Sequence, residues 1–243
     1  VPGILIDLAI VSIALALLSA IGIAIDLTRR PQPMAIMDIV WPVTALYSGP
    51  IAVWAYVAFG RAKPRPADGS KPMHPMAMSD RGEPTSPQVA LATTHCGAGC
   101  TLGDILAEAL IGAVAVGGLA CGWHVFRPEN VLVSWPLDFV FAFVIGIGFQ
   151  YYSIKPMHPD MPVSDALLQA LKADTLSLMS WQIGMYVVMG LAHFWIFPHL
   201  LHLDLQPASL VFWWVMQIAM LAGFATAYPV NRFLIVHGIK SPM

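Results

Sequence analysis

The sequence predicts an all-α integral membrane bundle of six transmembrane helices, with a long disordered loop between the second and third. Three observations lead there. Of 243 residues, 58% are hydrophobic and only 11% charged, with a mean hydropathy of +0.71, whereas a soluble domain carries roughly one quarter charged residues. Six apolar runs approach the about 20 residues that a helix needs to cross a bilayer. The Lys and Arg residues are confined to the gaps between those runs. A net charge of −2 gives no reason to expect nucleic acid as a partner.

The first run, Gly3 to Ile25, is broken only by Asp7 and lacks the basic n-region and cleavage site of a signal peptide, so it reads as a retained helix. Arg29, Arg30, Pro31 and Pro33 form the first loop. The second run, Ile39 to Phe59, carries Trp41-Pro42 and Gly49-Pro50, which imply a kink or a break. Residues 1–59 thus read as a first transmembrane hairpin. Residues 60–94, rich in Pro, Gly, Ser and charge, read as a mobile loop containing Lys71-Pro-Met-His-Pro-Met-Ala-Met78. Residues 95–243 read as a four-helix membrane portion opened by a His-Cys-Gly-rich turn.

Within that portion the third run, Thr101 to Val125, holds Asp104 and Glu108, with Gly118 and Gly122 at GxxxG spacing. The fourth, Val131 to Ile154, holds Asp138, and an intramembrane carboxyl is a functional candidate. Lys155-Pro-Met-His-Pro-Asp-Met161 then repeats the earlier loop motif. Ser164 suits an N-cap for a helix running on as the fifth span, Thr175 to Phe197, with His193 inside it and His199, His202 and Asp204 beyond. The sixth run, Leu210 to Val230, is flanked by Trp213, Trp214 and Tyr228, as expected of interfacial aromatics.

Six spans place both termini on one side, and nine of the twelve basic residues fall in the second and fourth loops and the tail. The positive-inside rule then makes both termini cytoplasmic, in a bacterial inner membrane. His74, His95, Cys96, Cys100 and His158 follow to the cytoplasmic side, and His124, His199 and His202 to the opposite one.

Chemically capable side chains concentrate in His95-Cys-Gly-Ala-Gly-Cys-Thr-Leu-Gly-Asp-Ile-Leu-Ala-Glu108. If this stretch is helical, Cys96, Cys100, Asp104 and Glu108 recur every fourth residue and form one polar stripe. Alternatively Thr101-Leu-Gly-Asp104 is a capping box, and the two cysteines lie in a turn before the helix. Three cysteines, two of them four apart, are a poor disulfide framework. Soft thiolate and thioether donors suit Cu(I), zinc or iron–sulfur chemistry, and imidazole suits zinc, copper and iron. The candidate metal ligands are therefore His95, Cys96, Cys100, Asp104, Glu108, His74 and His158, with Asp138, His124, His193, His199 and His202 as an intramembrane polar path.

Pro72-Met-His-Pro75 and Pro156-Met-His-Pro159 resemble the core of small heavy-metal-binding modules of bacterial copper-efflux proteins, although Lys71 and Lys155 stand where a cysteine usually precedes that core. The chain as a whole is similar to an uncharacterised bacterial multi-spanning membrane family, a domain of unknown function of which some members carry a copper-oxidase-like label. The resemblance rests on Met37-Asp-Ile-Val-Trp-Pro-Val-Thr-Ala-Leu-Tyr-Ser-Gly-Pro50, Thr94-His-Cys-Gly-Ala-Gly-Cys-Thr-Leu-Gly-Asp104 and Tyr228-Pro-Val-Asn231. It implies copper handling.

No GxGxxG fingerprint, Walker lysine, GxSxG elbow or HExxH helix occurs, and no catalytic residue is named. The reading is a membrane protein that binds a soft transition-metal ion, copper ahead of zinc or iron, with transport of that ion as a further expectation. One alternative is a membrane oxidoreductase using the Cys96–Cys100 pair with a quinone or haem. Another is a non-catalytic assembly subunit. Expected partners are the lipid bilayer, the metal ion, and a second copy or a membrane partner subunit.

Overall fold

The structure, a computed structural model, describes residues 3–62, 83–120, 131–206 and 209–241. These form seven α-helices: α1 (Gly3–Arg29), α2 (Met37–Ser48), α3 (Pro50–Ala55), α4 (Ser86–Ala120), α5 (Val131–Met157), α6 (Val163–Leu191) and α7 (Leu210–Val236). Wider π-type turns continue α3 through Tyr56–Gly60 and α6 through Ala192–Leu201. His74, His124 and the first Pro-Met-His-Pro segment lie outside the described residues.

Among the described residues five helices, not the expected six, are long and apolar enough to cross a membrane: Gly3–Arg29, Ser86–Val114, Ser134–Met157, Val163–Leu201 and Leu210–Val236. The second apolar run accounts for the difference. Gly49 has φ 54° and ψ −129°, a backbone conformation open to glycine and strained for other residues, and Pro50 opens a new helix immediately after it. The chain reverses there. Trp41 of α2 packs edge-on against Tyr56 at 5.3 Å and tilted against Phe59 at 6.1 Å, and a Cβ placed on Gly60 would fall 1.9 Å from the Trp41 ring.

Depth follows from α1. The returning arm ends where Tyr56 donates to Asp26 at 2.8 Å and Arg61 pairs with Asp26 at 2.6 Å. The Gly49 tip instead lies beside Ala16, ten residues and about 15 Å of helix back toward the Gly3 end of α1. Residues 37–60 therefore form a re-entrant helical hairpin. Its irregular tip is tolerated because it is packed in protein, with Gly49 N–H donating to Ala45 and its carbonyl accepting from Ala52. An even number of spans would have put both ends on one side; with five crossings, Gly3 and Val236 stand at opposite ends of the bundle.

The second difference concerns the His-Cys-Gly stretch. Thr85 and Gln88 form the capping pair, Gln88 Oε1 accepting from the Thr85 backbone N–H at 2.8 Å, so α4 starts at Ser86, and residues 86–94, read from the sequence as loop, are its first turns. His95 to Cys100 is helix interior rather than a turn. Thr101 is no cap, since its hydroxyl donates to Gly97 O, one turn back, at 2.8 Å. The glycines serve packing: an added Cβ would come within 2.6 Å of Gly146 at Gly99, 2.3 Å of Ala142 at Gly103 and 2.3 Å of the Trp181 ring at Gly97. Small residues let α4 and α5 approach backbone to backbone. The N-cap of α6 is Pro162 rather than Ser164.

Two large apolar clusters result, beside a small third of Val89, Ala92 and Ile235. One surrounds Trp181 between α4, α5, α6 and α7 and includes Cys96 and Cys100. The other joins α1, the re-entrant hairpin and the start of α4 around Trp41.

Candidate functional site

Beyond α7 the chain turns back into the bundle. His237 caps the helix and Gly238 takes φ 69°; Gly238 N–H donates to Ile235 O and Ile239 N–H to Leu234 O, the paired bonds of a Schellman motif. The reversal delivers Lys240, 1% exposed, to a position between α4, α6 and α7.

There the Lys240 ammonium meets Asp174 Oδ1 at 2.5 Å, Asn231 Oδ1 at 2.9 Å, Cys96 Sγ at 3.1 Å and Ala92 O at 3.5 Å. Asp174, Asn231, Cys96 and Ser177 are all 0% exposed. Asn231 Nδ2 donates to Ser177 Oγ at 2.6 Å, and Ser177 donates to Cys96 Sγ at 3.1 Å. Burial pulls the Lys240 ammonium down, but the Asp174 carboxylate beside it outweighs burial and holds it above its ordinary value. Charge balance settles the sulfur. Lys240 and Asp174 already neutralise each other, so Cys96 is a thiol, with Asp174 Oδ1 within reach of its proton at 3.0 Å; a thiolate would add an unpaired buried charge.

Adjacent residues on α4 diverge. His95 points to α5, where its Nε2 lies 2.8 Å from Ser153 Oγ and its ring meets Phe149 edge-on at 5.9 Å. Its Nδ1 has no hydrogen-bond partner. Cys100 is buried one turn beyond Cys96. One turn further is Asp104, 0% exposed with neither carboxyl oxygen hydrogen-bonded, and Gln182 of α6 faces it without closing a hydrogen bond. Glu108 and Asp138 share Ser134 as hydrogen-bond partner, and Asp138 lies near Asp104.

The predicted stripe Cys96, Cys100, Asp104 and Glu108 is thus one face of α4, joined by Asp138. His95 is not brought to the cysteines' side. Among the described residues no three His, Cys, Asp or Glu side chains are placed to hold a metal ion. His158 is exposed where α5 ends, and the second Pro-Met-His-Pro segment is the last of α5 and the turn after it, clasped by the preceding Lys155, whose ammonium donates to Pro159 O and Met161 O. His193 is part-buried with Nδ1 unpartnered, while His199 and His202 are exposed at the other end of the bundle.

Sequence reasoning missed Asp174, Ser177 and Lys240. Asp174 and Ser177 carry a signal, for they continue the small-residue face Ala166, Ala170 and Ala173 at helical spacing. Asn231 entered only as part of a resemblance. Nothing in the sequence sets Lys240 apart from a solvated tail lysine.

The chain matches no curated protein and no solved structure. A family model described as a domain of unknown function, DUF4396, matches residues 87–240, from the first turn of α4 to the buried lysine, more than half of the chain. On that match, α4 to α7 and the Lys240 cluster are the shared unit, and the chain belongs to the DUF4396 family.

Proposed function

We propose that this multi-pass membrane protein is a carrier for a cation, with a soft transition-metal ion, copper ahead of zinc or iron, as its cargo. The observation that carries the reading is the line of polar side chains down α4, fully buried at Cys96, Cys100 and Asp104 and half-buried at Glu108. Cys96, Cys100, Asp104 and Glu108 span twelve residues, about 18 Å of helix rise, or more than half of a roughly 30 Å hydrocarbon layer. Asp174 adds a carboxylate at one end of the line and Asp138 at the other.

Polar groups are costly at that depth and mark ion or proton routes more often than they serve packing. The divergence of His95 from Cys96 suits a cargo passed between weak stations better than a resident metal in a closed cage, which needs three or four converging ligands. Sulfur at Cys96 and Cys100 favours a soft ion, and the carboxylates offset its charge.

The orientation belongs to the same reading. Every Lys and Arg among the described residues, namely Arg29, Arg30, Arg61, Lys155, Lys172, Arg232 and Lys240, sits toward the Val236 end, so that end faces the cytoplasm of a bacterial inner membrane.

The test is Ag(I) binding, as a redox-inert stand-in for Cu(I), by purified protein. Wild type should bind and Cys96→Ser/Cys100→Ser, while still folded, should bind at least tenfold more weakly. Equal binding by the two proteins would return the polar line to a packing role.

A further inference from the structure

The Lys240 seat holds more acceptors than its occupant can serve. An ammonium carries three protons, whereas Asp174 Oδ1, Asn231 Oδ1, Cys96 Sγ and Ala92 O surround it at 2.5, 2.9, 3.1 and 3.5 Å. Asp174 keeps a second oxygen, Oδ2, buried and without a partner. Asn231 is held with its oxygen inward, because its amide nitrogen is committed to Ser177 Oγ and Ala227 O. None of these acceptors comes from the segment that carries the lysine. They project from α4, α6 and α7.

We infer that this pocket is a binding site for an ammonium-sized monovalent cation, occupied here by the chain's own Lys240, and that residues 237–240 are a tethered plug over it. Exchanging the lysine ammonium for a free monovalent cation leaves the charge of the seat unchanged. Cys96 remains a thiol, and no proton moves. The plug hangs on one turn, with Gly238 at φ 69° and backbone bonds from Gly238, Ile239 and Lys240 to α7, and Ile239 is exposed. The inference deepens the carrier reading, on which its physiological meaning rests, but the binding is testable apart from transport.

Lys240→Ala empties the seat, and Lys240→Met fills it with an uncharged side chain of similar length. Melting temperatures in detergent are measured against n-propylammonium chloride, with tetramethylammonium chloride at equal ionic strength as the cation that offers no N–H. Lys240→Ala should rise saturably by several degrees with propylammonium only, while wild type and Lys240→Met should not respond. Recovery of folded Lys240→Ala solely in propylammonium buffer is the same result in stronger form. A folded Lys240→Ala protein indifferent to propylammonium overturns the site, as does one that stays unfolded in both buffers. Saturable rescue in a protein that binds no Ag(I) keeps the seat and removes the soft-metal carrier; Ag(I) binding without rescue does the reverse.

Discussion

Lys240 and Asp174, 66 residues apart in the chain, meet at 2.5 Å with both side chains 0% exposed. Breaking such a buried pair from one side strands the other charge, at about 3–5 kcal/mol, whereas replacing both partners by apolar residues is often close to neutral. Lys240→Met and Asp174→Leu should each destabilise by about that amount, and the double variant by much less than their sum. Urea or thermal unfolding in detergent measures the cycle. Additive losses would mean that the two groups do not depend on each other.

The same pair sets an alkaline limit. Lys240 is held above its ordinary value of 10.5, so its contribution is fully present below that pH and is lost as pH rises through the folded-state value. Wild-type stability should therefore have a falling arm above pH 10.5 that is shallower in Lys240→Met/Asp174→Leu. Parallel pH profiles would contradict the assignment.

The re-entrant hairpin is checked by labelling. In a background with all three cysteines replaced, Pro31→Cys and Ala62→Cys flank the hairpin at the same end of the bundle. A membrane-impermeant thiol reagent should reach both from one face of sealed vesicles. Labelling from opposite faces would restore a full crossing there. Gly49→Ala should cost about 1–3 kcal/mol, because φ 54° is strained for a residue with a Cβ.

Close approach of α4 and α5 gives a graded series. Gly99→Ala and Gly103→Ala place a Cβ 2.6 Å and 2.3 Å from the α5 backbone and should cost about 1–3 kcal/mol. Gly112→Ala, with nothing within 4 Å, should be neutral or slightly stabilising. Equal melting temperatures across the series would rule out the seam.

Five of the six apolar runs were legible because length and hydropathy suffice for a continuous crossing. The second run misled because Gly49-Pro50 reads equally as a kink or a reversal, and only the contacts of the returning arm with Asp26 and Trp41 separate the two. The Gly-rich stretch misled for a related reason: glycine signals a turn in soluble chains, but between membrane helices it signals contact, and Gly99 and Gly103 are visible as such only beside Gly146 and Ala142. The polar stripe of α4 was legible from its period of four. Its partners were not, since Asp174, Asn231 and Lys240 are joined to it by tertiary packing rather than by spacing.

The most direct measurement of the carrier claim is cation uptake into proteoliposomes. Vesicles holding wild-type protein should accumulate Ag(I) faster than empty ones, with Cys96→Ser and Asp104→Asn each slowing uptake at least tenfold at equal protein incorporation. Uptake by wild type no faster than through protein-free vesicles, or uptake unchanged in both variants, would contradict a route along α4.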